Sequence, residues 1–290
     1  MPAPWRDRSG RFSALKAATF AALLIPGIAI AGAYALDELG ARPIEEIIHE
    51  TGQWALRFLL ISLAITPARQ IFQLPKLVAI RRMIGVAAFA YAVFHLVGFA
   101  ADRMFDLWLV GSEIVLRYYL TIGAGVLLTL AALAATSTDA MVRRLGGKRW
   151  QSLHRLAYAA GLFAVVHFFM QSKLNVTEPI VMGGCFIWLM AFRVLARRSG
   201  TQKAASPLVL AALGLAIALT TMLGEVAYYG LFTRIKAIAV LQANLDPVNG
   251  LRPAGVLLLV GLGIALVAGA RWAWERYRAA AAPSLSQPAQ

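Results

Sequence analysis

The chain reads as an all-α polytopic membrane protein: a helix bundle of about eight transmembrane spans, a six-helix core followed by two C-terminal spans. Three observations predict this. The 290 residues are 60% hydrophobic and only 14% charged, with a mean hydropathy of +0.68, whereas a soluble domain is nearer half apolar and a quarter charged. Several apolar runs reach the ~20 residues that a helix needs to cross a bilayer. The basic residues, finally, gather in alternate loops. The short alternating segments of a membrane β-barrel are absent.

The spans follow in order. The first, about 14–36, comes after basic residues, and "AYA" at 33–35 resembles a signal-peptide cleavage site. Its apolar part is too long for a typical signal and more spans follow, so it is expected to stay as an anchored helix. The second, about 54–68, is short and bounded by Trp54 and Pro67; the third covers about 83–101 and the fourth about 118–137. The connection "TSTDAMVRRLGGKRWQSLHR" (136–155) offers Thr138 and Asp139 as N-caps for a short helix "AMVRRL", which Gly146–Gly147 would stop. Spans five and six are expected at about 155–171 and 178–196. After the linker-like "SGTQKAASP" (199–207) come spans seven and eight, about 207–230 and 253–273, and a polar tail. The expected organisation is therefore a core over 1–200, two added helices over 201–280 and a tail over 281–290.

The net charge of +14 does not point to nucleic acid. Most basic residues lie in connections on one side: Arg6, Arg8, Arg11 and Lys16; Arg69, Lys76, Arg81 and Arg82; Arg143, Arg144, Lys148, Arg149 and Arg155; Arg193, Arg197, Arg198 and Lys203; Arg271, Arg276 and Arg278. The positive-inside rule then places both termini in the cytoplasm, with anionic lipid headgroups as the default partner of the charge. Arg57 lies within a span. Cys185 is the sole cysteine, so an intrachain disulfide, a Cys-x-x-Cys-His haem attachment and an iron–sulfur or structural zinc site are all excluded. Gly-rich runs such as "GAGVLLTLAA" sit inside spans, where small residues let helices pack closely.

Chemistry that needs imidazole must lie in residues 1–200, because spans seven and eight contain no histidine. An ionisable residue well inside a span is costly and is by default a functional candidate. His95 lies 13 residues beyond Arg82 and His167 lies 16 beyond Gln151, about 20 and 24 Å along spans that run the same way. The two reach similar depth in the outer half of the bilayer, where facing imidazoles can bind haem iron from both sides. His154 is about 20 Å lower on the same helix as His167, with Arg81 at comparable depth on span three. That lower tier is half-equipped: arginine does not normally ligate iron but pairs with a propionate or another anion. His49, in "IEEIIHETGQW", falls just outside span two, where an interfacial amphipathic helix would hold it over the end of the bundle. Against these stand plainer roles: interhelical hydrogen bonds for His95 and His167, an interfacial position for His154, and a solvated loop for His49. Zinc suits the intramembrane pair poorly, because no Asp, Glu or Cys accompanies it at that depth.

"RRMIGVAAFAYAVFHLVGF", "IEEIIHETGQWALRFLLISLAITPAR" and the block "TSTDAM…RLG…W…LHRL.Y" with its flanks together resemble the MsrQ (formerly YedZ) family. These are haem-binding membrane subunits of periplasmic methionine-sulfoxide reductase systems, within the ferric-reductase-like transmembrane group. The resemblance covers about residues 15–200. It implies b-type haem without covalent attachment, and associated FMN, in the bacterial inner membrane. Electrons would come from the quinone pool or a cytosolic flavin reductase. They would pass to a periplasmic molybdenum-containing partner, which holds the reductase active site and repairs methionine sulfoxide in oxidised envelope proteins. Carried onto this sequence, the haem-ligand candidates are His95, His167 and His154; Arg81 matches an arginine near the inner haem, and His49 a histidine at the outer side. The departure is the pair of spans after residue 200, where family members commonly stop at six. Another b-type cytochrome or a ferric reductase is the nearest alternative, although no NADPH/FAD domain is evident. A transporter or scaffold is the other, although the paired halves with broken helices that transporters show are missing.

Overall fold

The computed structural model describes residues 3–7, 9–172, 176–246, 248 and 250–281; of the expected polar tail, all but Ala281 lies outside these. The described residues form helices: α1 (Ala14–Ala35), α2 (Pro43–Phe72), α3 (Val78–Asp102, led by a 3-10 turn at Pro75–Leu77), α4 (Leu107–Leu116), α5 (Tyr118–Ala135), α6 (Asp139–Leu145), α7 (Gly147–His154), α8 (Leu156–Gln171), α9 (Thr177–Ser199), α10 (Thr201–Ala204), α11 (Pro207–Phe232), α12 (Ala237–Leu245) and α13 (Pro253–Ala281). Among them, eight segments are long and apolar enough to cross a membrane: α1, α2, α3 with its leading turn, α5, α7 with α8, α9, α11 and α13. The chain is a multi-pass helical membrane protein.

The expected eight spans are found, with the largest difference in the second. Instead of starting near residue 54, α2 begins at Pro43 and runs unbroken to Phe72, through Pro67. His49 therefore rides on the same helix as the rest of span two, and the expected separate interfacial helix is absent. The extension is stable as helix for local reasons. Pro43 has a φ suited to the first turn, Glu45 and Glu46 complement the positive end of the helix dipole, and Arg42 pairs with Glu45 at 2.8 Å. The connection between α5 and α8 behaves as its sequence reads. The Thr138 side chain caps α6 by accepting from the Met141 N–H, and Gly146, at φ +74°, ends it. Gly147 then opens α7 rather than sharing in the stop. The short apolar helices α4 and α12 were not anticipated.

The described chain divides into two compact units, residues 1–66 with 75–186 and residues 67–74 with 187–290. In the first, α1, α2, α3, α5 and α8 share a packed core that includes Leu23, Phe58, Leu59, Ile84, Ala88, Tyr91, Leu130 and Ala160. Lipid tails are as apolar as these side chains, so close packing and interhelical hydrogen bonds hold such helices together rather than a hydrophobic force. One such bond joins α1 to α3. Pro26 interrupts α1, and the Tyr91 hydroxyl accepts from the Gly27 N–H at 2.7 Å while donating to the Leu23 carbonyl at 2.9 Å. In the second unit α11 and α13 approach backbone to backbone: a Cβ on Gly261 would lie 2.5 Å from the Gly214 Cα. Glu225, buried, is held there by Arg252 at 2.6 Å and Asn244 at 3.1 Å, as a buried charge requires.

Candidate functional site

The structure brings His95 of α3 and His167 of α8 together, with ring centroids 6.3 Å apart and ring planes at 86°. Each ring is fixed in the same way from a neighbouring helix. His95 Nδ1 lies 2.7 Å from the Ile48 carbonyl oxygen on α2, and His167 Nδ1 lies 2.8 Å from the Tyr119 carbonyl oxygen on α5. A carbonyl can only accept, so each Nδ1 carries the proton and donates, which leaves Nε2 with its lone pair free for a metal. Four residues after each accepting carbonyl stands a glycine. A Cβ on Gly52 would sit 2.8 Å from His95 Nδ1, and one on Gly123 would sit 2.8 Å from His167 Cε1. In an α-helix, residue i+4 lies directly over the carbonyl of residue i, so an imidazole reaches that carbonyl from the side only where i+4 has no side chain. Ile48 with Gly52 and Tyr119 with Gly123 are two copies of one device.

These residues suit haem. Two imidazoles that shared one metal ion would have their ring centres about 6 Å apart, and those of His95 and His167 are 6.3 Å apart. No group of three or more His, Cys, Asp or Glu side chains gathers among the described residues. The pair offers two imidazole nitrogens, which would suit a group such as haem that brings the rest of its ligands with it.

His49 is exposed and lies on α2 next to Ile48, whose carbonyl accepts from His95. The other two expected residues lie elsewhere. His154, at the end of α7, is about 20 Å from His167 along the chain's helical path. Its Nδ1 is 3.0 Å from the Trp150 carbonyl oxygen and its Nε2 is 3.3 Å from the Ser137 hydroxyl. Arg81 and Arg82 of α3 lie near it. Arg81 donates to the Thr66 hydroxyl at 3.4 Å, and Arg82 pairs with Asp139 at 2.7 Å. The lower tier is thus one imidazole among cations, without a second histidine.

Sequence reasoning missed three parts of this arrangement. Trp150 carries no expected role in the site, yet its indole stacks on His154 at 3.8 Å and donates to the Thr136 carbonyl at 2.9 Å. Gly123 falls in a run that reads as packing glycines, and Gly52 lies just outside the expected span two; their signal is position, four residues after a carbonyl that a histidine reaches. Arg57, midway along span two, pairs with Glu178 of α9, a partner that spacing does not reveal.

Comparison with known proteins bears on the same residues. The pattern of the ferric reductase like transmembrane component family matches residues 51–165, an interval that takes in Gly52, His95, Gly123 and His154 and stops just before His167. The chain is 42% identical over 200 residues to the protein-methionine-sulfoxide reductase heme-binding subunit MsrQ of Rhodospirillum rubrum, covering 67% of this chain and 94% of that one. Proteins of the same name from Caulobacter vibrioides (41% over 167 residues, 57% and 80% covered) and Xanthomonas campestris pv. campestris (42% over 200 residues, 66% and 91% covered) are similar to it as well. No solved structure matches. Similarity over nearly the whole length of such relatives, together with the ferric-reductase-like match across the histidine-bearing helices, makes this chain a member of the MsrQ family.

Proposed function

We propose that the protein is the haem b electron-transfer subunit of a methionine-sulfoxide reductase system. The observation that carries this reading is the pair His95 and His167, each with Nδ1 committed to a backbone carbonyl and Nε2 left free. Haem bound there would supply one-electron chemistry. The protein's own part is to hold the two axial nitrogens, fix their tautomer and keep water away. His154 would serve a second, inner site, with Arg81 as counter-charge to a carboxylate or other anion, and exposed His49 would flank the outer one.

The wider reading follows the family. Residues 1–200 would be the haem-binding part and 201–280 an addition to it. The chain would lie in the bacterial inner membrane with both termini cytoplasmic, as its loop charges favour. Electrons would enter from quinol or a cytosolic flavin reductase and leave to a periplasmic molybdenum-containing subunit, whose active site reduces methionine sulfoxide in oxidised envelope proteins. FMN belongs to this reading through the resemblance alone, and no residues are assigned to it.

The test is the absorption spectrum of the full-length protein in detergent, oxidised and dithionite-reduced, with haem counted as the pyridine haemochrome. A sharp reduced α-band that is lost in His95→Ala and in His167→Ala is expected. Unchanged haem content in both variants would overturn the assignment of the pair. Folded protein without haem, expressed with ample haem supply, would favour a transporter or scaffold.

A further inference from the structure

In the first unit α5 and α8 leave an apolar groove of about 640 Å³, bordered at one end by the last residues of α4. Leu116, Tyr118 and Phe163 on its walls are 81%, 69% and 49% exposed, and Gly125 and the buried Ala160 lie along it. In a bilayer such a groove is filled by something as apolar as its walls. Its length, lining and outer end say what. From Tyr118 to Thr129 it follows α5 for 11 residues, about 17 Å. That is close to the depth of one leaflet, half of the roughly 30 Å of hydrocarbon in a bilayer. Within it, Thr121 Oγ1 donates to the Ile114 carbonyl at 2.6 Å and Thr129 Oγ1 to the Gly125 carbonyl at 2.8 Å. Neither hydroxyl proton is left for the carbonyl of a quinone, so the interior suits a plain alkyl chain. Arg117 stands between Leu116 and Tyr118, at the end of α5 away from the basic connection that follows Ala135. Its side chain is 47% exposed and reaches Glu113 only at 3.4 Å and the Tyr119 hydroxyl at 3.3 Å. Glu113 is also shared with Arg103, at 3.2 Å. A guanidinium so loosely held keeps N–H donors for a phosphate.

We propose that the groove between α5 and α8 is a site for one phospholipid of the leaflet opposite the basic loops, its phosphodiester on Arg117 and an acyl chain along Gly125 and Ala160. An acyl chain gains no hydrophobic free energy by leaving other lipid for an apolar groove. Residence therefore comes from close packing in the groove and from the charge-assisted hydrogen bonds at its end. Both contacts are needed, and loss of either should release the lipid.

The measurement is the phospholipid kept by full-length protein moved from nanodiscs of phosphatidylethanolamine and phosphatidylglycerol into detergent and washed. It is read as bound phosphorus per chain and as added mass in native mass spectrometry. One phospholipid per chain is expected on the wild type. Arg117→Gln should lower retention about tenfold, as loss of a charge-assisted hydrogen bond would. Gly125→Leu, which fills the groove from a position with open space at its Cβ, should lower it as far. Gly32→Leu, at an equally open position on α1, should leave it unchanged. Wild type without bound phosphorus, or retention unchanged in either groove variant, would overturn the proposal. So would a phosphorus-free adduct such as an isoprenoid quinone that Gly125→Leu displaces, or a dimer that Gly125→Leu turns into monomer, because the groove would then have another occupant. If Gly125→Leu does not accumulate, Ala159→Leu on the α8 wall takes its place. None of these readings needs haem, so they stand or fall apart from the assignment of His95 and His167.

Discussion

Each imidazole of the pair owes its aim to a carbonyl and a missing Cβ on the helix opposite. At 2.8 Å, a methyl group on Gly52 or Gly123 is closer to the ring than real side chains come, so the ring must move, and its bond to the carbonyl goes with it. A buried donor left unpaired costs about 1–3 kcal/mol, and the displaced Nε2 no longer points where iron would sit. Gly52→Ala and Gly123→Ala are expected to lose most of their haem, counted as the pyridine haemochrome per folded chain. Gly125→Ala is the control: it lies two residues from Gly123 on the same helix, with open space where its Cβ would go, and should keep its haem. Equal loss in Gly123→Ala and Gly125→Ala would mean that α5 tolerates no side chain there for reasons unconnected with His167.

Among the elements, α11 and α13 show what close approach demands. Gly261→Leu places a side chain where the Gly214 backbone already stands, and overpacking of this kind costs about 1–3 kcal/mol. A lower thermal midpoint in detergent is expected, with haem per folded chain unchanged, since no histidine belongs to these helices. The spans were legible in the sequence because each is an apolar run of crossing length, and His95 and His167 because an imidazole in such a run is rare and their depths could be counted. The first three turns of α2 were not, since Glu45, Glu46, His49 and Glu50 make a stable helix look like a polar loop. The glycine–carbonyl device was half legible: backbone acceptors leave no mark in a sequence, although the glycines do. The Arg57–Glu178 pair joins positions 121 residues apart, and nothing local marks either residue as the other's partner.

For the molecule as a whole, the asymmetry of loop charge predicts sidedness. Reporter fusions at both termini should read as cytoplasmic, and a cysteine replacing exposed His49, in a Cys185→Ser background, should react with an impermeant reagent added from the opposite side. Haem stoichiometry separates the two tiers: one haem per chain if the outer pair alone is filled, two if His154 also serves. The bond between Tyr91 and α1 has a different kind of consequence. Leu24, Ile25 and Ile28 of α1 are all largely exposed, and apolar flanks like these fit against a neighbour almost equally well after a slide of one residue or one turn. The ladder gap beside Pro26 occurs once, and the Tyr91 hydroxyl bridges it. Tyr91→Phe should therefore cost about 1–3 kcal/mol in thermal unfolding. It should also let crosslinks between cysteines placed on α1 and α3 form at neighbouring positions as well as the native one. A helix whose sides are interchangeable is told where to stop by a single hydroxyl.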